Sequence, residues 1–287
     1  MGRLILNADD FGLTSGVNRA IAELHRAGLL TSATLMARAA ATEEAIELAR
    51  GLPKLGVGCH VVLADGEPQL TAREIPTLVE PRTGRFHATL GAFLGRLLSG
   101  RISSSEIEAE TSAQIASLQS RGLRLTHLDT HKHTQMFPAV LRPVLRAAKA
   151  AGIHAVRNPF EPVWSRRATP GALWKRRAEV RLLRLMEPAF RRIVAEEGFT
   201  TTDGALGVLA TGTLDAATLT ALLSKLPAGT WEVVTHPGYN DGDLAQAHTR
   251  LLASRETERQ ALRALEQFSG IELVSFAALE AVQRRSD

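Results

Sequence analysis

Short apolar runs rich in branched side chains alternate along the chain with longer stretches of helical period, the pattern of a parallel α/β protein. Eight runs read as strands: Leu4 to Ala8, Ala33 to Met36, Val57 to Leu63, Thr126 to Asp129, Ala155 to Arg157, Leu206 to Leu209, Trp231 to Thr235 and Leu273 to Ser275. The helices between them have recognisable ends. Ser15 precedes a helical stretch that stops at Gly28, and Ser103 with Glu106 three residues on predicts a capping box ahead of Ile107 to Gln119. Pro143 lies early in a helix that closes at Gly152, and Asp215 predicts an N-cap for Thr218 to Leu226. Strands that are each followed by a helix predict a distorted (β/α) barrel, TIM-barrel-like, with residues 1–287 as a single domain. Residues 64–90, with Pro68, Pro76, Pro81 and Gly84, read as a long loop over one face, of the kind that forms lids or binding walls.

Acid and imidazole fall at the ends of four of these strands. The first delivers Asp9 and Asp10, the third His60, the fourth Asp129 with His131 and His133 just beyond, and the seventh His236. In a parallel barrel all strand ends open on one face, so residues far apart in sequence converge there. Two imidazoles and a carboxylate suit a divalent ion with an open position for water, and a second carboxylate would serve as base. Neighbours in an extended chain point in opposite directions, so Asp9 and Asp10 divide into one ligand and one base. His236, from a distant strand, suits a general acid or an oxyanion donor. Each residue alone has a plainer reading. The Asp9-Asp10 pair fits a turn feeding the following helix, His127 a packed structural residue, and Cys59 a buried thiol. The joint placement at four strand ends outweighs these. His25, His87, His154 and His248 have no acidic company at a strand end and receive no role.

Composition changes the picture in two ways. One cysteine excludes an intramolecular disulfide, and no apolar run reaches the roughly 20 residues of a membrane span. With no signal peptide legible at the start, the expected location is cytoplasmic. The net charge of +4 is uneven: from Trp164 to Arg192 nine basic residues face only Glu179 and Glu187, leaving the rest of the chain slightly acidic. Apolar residues recur at near-helical spacing in the same stretch, with Pro188 placed to break it. The segment 164–198 is therefore expected to be a basic amphipathic helix that lies on an anionic membrane surface through Trp174, Lys175, Arg176, Arg177, Arg181 and Arg184, peripheral at the inner membrane. An ordinary barrel helix with a solvated basic face is the plainer alternative. Sparse aromatic residues argue against nucleic acid as a partner, and a homo-oligomer is left open.

The motifs Asn7-Ala8-Asp9-Asp10-Phe11-Gly12-Leu13, Gly58-Cys59-His60-Val61-Val62-Leu63, His127-Leu128-Asp129-Thr130-His131-Lys132-His133 with Met136-Phe137-Pro138, and Thr235-His236-Pro237-Gly238-Tyr239 occur in this order over most of the chain. In them the sequence resembles the YdjC-like carbohydrate deacetylases, the ChbG/HpnK family. The resemblance implies a distorted β/α barrel and metal-dependent hydrolysis of an N-acetyl group from an amino sugar. It implies Asp10, His60 and His131 as metal ligands, Asp9 as general base and His236 as general acid. Asp129 then orients a ligand histidine, while His133 and Arg157 fall to the surrounding shell or to substrate contact. Gln135 stands where the family often has a further histidine.

Leu63-Ala64-Asp65-Gly66-Glu67-Pro68 and Ala155-Val156-Arg157-Asn158-Pro159-Phe160-Glu161-Pro162 are similar to the hopanoid-associated HpnK branch. That likeness implies the N-acetylglucosaminyl headgroup of a hopanoid as substrate. A soluble chito-oligosaccharide is the alternative substrate, and an inert membrane-surface or carbohydrate-binding protein the alternative of another class. Family annotation gives the single divalent ion as Mg²⁺, whereas two imidazoles favour Zn²⁺ or another first-row ion.

Overall fold

The computed structural model describes residues 2–169, 174–265 and 270–279. Seven parallel strands form one curled sheet: β1 (Gly2–Phe11), β2 (Ser32–Leu35), β3 (Gly56–Val61), β4 (Leu128–Thr130), β5 (Gly204–Leu206), β6 (Gly229–Thr235) and β7 (Ile271–Leu273). Among the described residues ten α-helices accompany these strands: α1 (Ser15–Arg26), α2 (Thr42–Arg50), α3 (Leu90–Leu98), α4 (Ser104–Gln119), α5 (Pro138–Ala150), α6 (Trp174–Leu183), α7 (Glu187–Glu196), α8 (Ala216–Leu223), α9 (Gly242–Gln246) and α10 (Ala253–Arg263). The strands run in the order β4-β3-β2-β1-β6-β5. β1 pairs along its length with β6, and on its other edge first with β7 and then with β2.

The expected strand at Ala155 to Arg157 is reduced to isolated bridges, Leu128 to Val156 and Ala155 to Thr200. Asn158-Pro159 follows at once, and proline has no N–H to extend a ladder. These bridges, with the Ala205 N–H donating to the Phe160 carbonyl (3.2 Å), still join β4 to β5 and bring the sheet round towards closure. The fifth strand begins at Gly204 and ends at Leu206, since Gly207 takes φ 88° and turns the chain out of the sheet.

Side chains two apart on β1 divide between the two faces. Leu4, Leu6 and Ala8 join the main core beneath the helices, while Ile5 packs with Ala155, Phe276 and Leu279 in a separate cluster inside the curl. His127 stacks on Phe276 with ring centroids 3.8 Å apart, and a Cβ at Gly58 would lie 2.5 Å from the His127 ring. His127 is thus the packed structural histidine expected. Burial and the nearby Arg157 cation hold it neutral.

Local chemistry sets two of the helix starts named above, and tertiary contacts override it at a third. Asp215 caps α8 by accepting from the Thr218 N–H (2.8 Å), and Thr14 rather than Ser15 caps α1. No capping box forms on α4: the Glu106 carboxylate accepts from the Thr77 N–H and hydroxyl (2.8 Å each), so tertiary contacts take the side chain away from its own helix end. The 64–90 loop is tethered in the same way. Fully buried Glu110 on α4 accepts from the N–H groups of Gln69 and Leu70, and Ile75, Leu78, Val79 and Phe86 are buried beneath the loop.

The basic segment is several pieces rather than one amphipathic helix. A 3₁₀ turn at Val163–Arg167 precedes α6, and a further one at Arg184–Met186 leads into α7, which Pro188 opens at its first turn. α7 buries Phe190, Ile193 and Val194 and is an ordinary covering helix. Trp174, Leu182 and Leu185 stand 74%, 67% and 75% exposed. Several of the cations are paired or bonded: Arg176 with Glu179 and the Val208 carbonyl, Arg177 with the Thr169 carbonyl, Arg184 and Arg191 with Glu187. Arg181 is exposed. Among the described residues no helix is long and apolar enough to cross a membrane.

Candidate active site

Above the apolar floor lies a polar layer fed by different strands: Asn7 and Asp9 from β1, Thr34 from β2, His60 from β3, Asp129 from β4, Arg157 and, from β6, Glu232, all nearly or wholly buried. Strand register sets the first contact. His60 is paired with Asp129 across β3 and β4, and its Nδ1 lies 2.8 Å from Asp129 Oδ1. A carboxylate can only accept, so Nδ1 carries a proton and Nε2 faces the other way. There it meets His131 Nδ1 at 3.2 Å and Asp10 Oδ1 at 3.4 Å, and His131 Nδ1 lies 3.5 Å from the same Asp10 oxygen.

Asp9 and Asp10 do separate, as expected, but not by simple alternation. The pairing of β1 with β2 shifts register between Ala8 and Phe11, and Asp10 takes a left-handed φ of 64° at that irregularity. Asp10 therefore turns towards His60, His131 and Arg255. Asp9 accepts from both terminal nitrogens of Arg157 (2.8 and 2.6 Å), from Asn7 Nδ2 (2.9 Å) and from the Thr34 hydroxyl (3.2 Å). Among the described residues the four non-glycine positions with positive φ are Asp10, Asp65, Lys132 and His133. Three of them immediately flank or belong to this cluster, where strained backbone is commonly found in functional sites.

The charges are strongly coupled. Arg157, wholly buried, touches Asp9, Asp129 and Glu232 at once. Burial opposes ionisation of Asp9, but Arg157 overrides it and holds the carboxyl well below the usual range. Burial instead prevails at Glu232, which is pushed up to about 7 despite its contact with Arg157. Burial also works against a charged His60, yet Asp129 and Asp10 pull its pKa up to about 10. For His236, burial is outweighed by Glu258, which raises the imidazole above its ordinary value. The His236 N–H donates to Glu258 Oε2 (2.6 Å), and its Nε2 lies 3.8 Å from Asp9 Oδ2.

The donor set fits a divalent cation. Two imidazole nitrogens and Asp10 Oδ1 converge at 3.2 to 3.5 Å, Arg255 taking only the other oxygen of Asp10, and the anionic surroundings draw positive charge onto His60. Such spacing matches ligands about 2.0 to 2.2 Å from a common centre. A second trio, Asp9, His60 and Asp129, is also close, but Arg157 already takes both carboxylates. His133 does not join either group. Burial and Arg157 hold it neutral, near 3, and its Nδ1 has no hydrogen-bond partner. Gln135 is buried against the Thr130 hydroxyl rather than turned to the site.

Four contributors were not singled out from sequence: Thr34, Glu232, Arg255 and Glu258. Arg255 is fully buried and donates to Asp10 Oδ2, while Glu258 holds His236. Their signal lies in α10, where the face carrying buried Ala261 and Leu262 starts with charged residues three apart. Charges on the core stripe of a helix need buried partners. Glu232, alone in the apolar run Trp231 to Val234, carries the same signal.

Residues 3–268 match the profile of the YdjC-like protein family. A carbohydrate deacetylase of Thermoanaerobacter pseudethanolicus is 30% identical over 91% of both chains. One from Brevibacillus brevis is 42% identical over 55% of this chain and 60% of its own length. In fold, a crystal structure of a proposed cellobiose-phosphate cleavage protein from Enterococcus faecalis V583 superposes with a TM-score of 0.77, at 24% identity, over 97% of this chain and 98% of that one. Profile and full-length relative agree, and the chain belongs to the YdjC-like family.

Proposed function

We propose that the protein is a metal-dependent hydrolase that removes the acetyl group from an N-acetylated amino sugar. The observation that carries this is the Asp10, His60 and His131 donor set beside a separately held carboxylate and imidazole, Asp9 and His236. The deacetylase names of its relatives support the same reading. Asp10, His60 and His131 would hold a divalent ion, which would supply Lewis-acid polarisation of the acetyl carbonyl and a more acidic water; two imidazoles favour Zn²⁺ or another first-row ion over Mg²⁺. Asp9 accepts the proton of the attacking water. Arg157 keeps it ionised at the cost of basicity, and once His236 has given up its own proton the one on Asp9 has a short route to it. His236, held protonated by Glu258, gives a proton to the amine nitrogen as the C–N bond breaks, releasing acetate and the free amino sugar. Asp129 fixes the His60 tautomer through Nδ1.

Two substrates fit this chemistry. A chito-oligosaccharide is supported by a relative from Escherichia fergusonii named a chitooligosaccharide deacetylase, 37% identical over 59% of this chain and 64% of its own. Exposed Trp174, Leu182 and Leu185 among cations favour instead a lipid-linked sugar, such as a hopanoid glycolipid, met at an anionic membrane surface. Acetate release from N-acetyl chito-oligosaccharides and from an N-acetylglucosaminyl lipid in anionic vesicles decides between them. Asp9→Asn should keep fold and metal content while losing most turnover on the preferred substrate; an active Asp9→Asn enzyme refutes the role of Asp9.

A further inference from the structure

The 64–90 loop reaches the site through Asp65. Asp65 pairs through Oδ2 with the Lys132 ammonium and through Oδ1 with His248. Its own N–H donates to the His87 carbonyl (2.9 Å), which anchors it to the far arm of the loop, where the Phe86 N–H donates back to Gly66 (3.2 Å). Lys132 and His133, directly after His131, both sit in the left-handed region, at φ 59° and 54°. Two consecutive non-glycine residues there are sterically disfavoured, so the surroundings must impose the turn. The outgoing side is held by Thr130, whose hydroxyl accepts from the Gln135 N–H (3.0 Å) and from the Thr134 hydroxyl (2.8 Å). At the apex, Lys132 is held by Asp65.

We infer that Asp65 is a positioning residue: by clamping Lys132 it imposes the strained turn that aims His131 Nδ1 at His60 and Asp10, and so makes the cation site preformed. This rests on the reading of His131 as a ligand given above. The Lys132 pair carries the effect because both side chains are largely sheltered, at 27% and 13% exposure, whereas His248 is 80% exposed and its pairing contributes little. The loop is then part of the metal-site scaffold as well as a wall.

The test is titration of the metal-free full-length protein with Zn²⁺ against a chelator, and with Co²⁺ followed by its visible absorption, which reports ligand geometry without any turnover. Asp65→Asn and Lys132→Gln should each weaken Zn²⁺ binding by about tenfold or more and alter the Co²⁺ spectrum alike. The double variant should be no worse than either single one, because both act through one contact. His248→Ala should stay within about twofold of wild type. Wild-type affinity and spectrum in Asp65→Asn, or losses that multiply in the double variant, overturn the inference. If Asp65→Asn does not fold, Lys132→Gln alone carries the test, since its side chain is partly exposed and only its link to the turn is lost. His131→Ala is the separate control: metal binding unchanged there removes the ligand reading itself, whatever Asp65 does.

Discussion

Replacing Arg157 by Met removes the one cation shared by Asp9, Asp129 and Glu232 while keeping most of the apolar volume of the side chain. With all three carboxylates ionised the wild-type group carries two excess negative charges, and the rise of Glu232 to about 7 is where that excess is relieved. Without Arg157, three buried carboxyls face one another, and at neutral pH at least one more must take a proton. Asp9 loses two charge-assisted hydrogen bonds and keeps only those from Asn7 and Thr34. Burial, which Arg157 now overrides, then dominates, and the pKa of a buried carboxyl can rise by up to about 3 to 5. A rise of about three units from its present depressed value, roughly 4 kcal/mol, places the titration of Asp9 inside the working pH range.

The expected result is an acid limb of kcat/KM, absent or very low in the wild type, that moves up by about three pH units in Arg157→Met. Stability should fall as well, by about 3 to 5 kcal/mol, because a buried pair has lost one partner. The measurement is acetate release across pH 4 to 9, with thermal unfolding as the control for folding. A folded Arg157→Met protein that shows no acid limb within this range, as in the wild type, would show that Arg157 does not set the protonation of Asp9. Arg157→Lys, which keeps one charge but not the bidentate fork, should fall between the two.

Two further outcomes follow from the same charge map. Glu258→Gln removes what holds His236 above its ordinary value, so the basic limb of kcat/KM should shift to lower pH; an unmoved basic limb would separate His236 from the proton delivered to the amine. Glu232 has a raised folded pKa, so its ionisation costs stability as pH climbs from about 4.5 towards 7 and the full cost is present above that. Glu232→Gln should therefore stabilise the protein by about 3 kcal/mol at pH 8 and much less at pH 4.5, a difference read by Tm at the two values; equal Tm changes would contradict it.

How far the site can be read from the chain depends on whether a residue's role is set by its own strand or by a distant partner. His60 and Asp129 end neighbouring strands in register, and their contact follows from the order of the elements. Asp9 and His236 likewise follow the paired residues Ala8 and Thr235. Arg255 and Glu258 were not legible as site residues because nothing local marks their partners, which lie across the sheet from α10. Glu106 shows the converse failure: its spacing to Ser103 suits a capping box, yet Thr77 offers two donors that local pattern does not reveal. The basic stretch gave a clear charge signal, but periodicity could not show that its second half packs as a plain covering helix while α6 leaves Trp174 and Leu182 outside.

The pairing of β1 has a consequence for how the chain acquires its structure. Gly2 lies beside both Gly229 and Ile271, and Phe276 completes the cluster around Ile5 beneath the site. β1 thus waits for Ile271 to Leu273, made much later in synthesis, before both of its edges are filled. Folding dominated by such distant pairings is slow and leaves unpaired strand edges open meanwhile. Helices and the β2-β3 neighbourhood can form early, but the interior that orients Asp9 closes only when β7 and Phe276 arrive, so a synthesis-coupled assay should find protease resistance of β1 appearing late, together with binding competence.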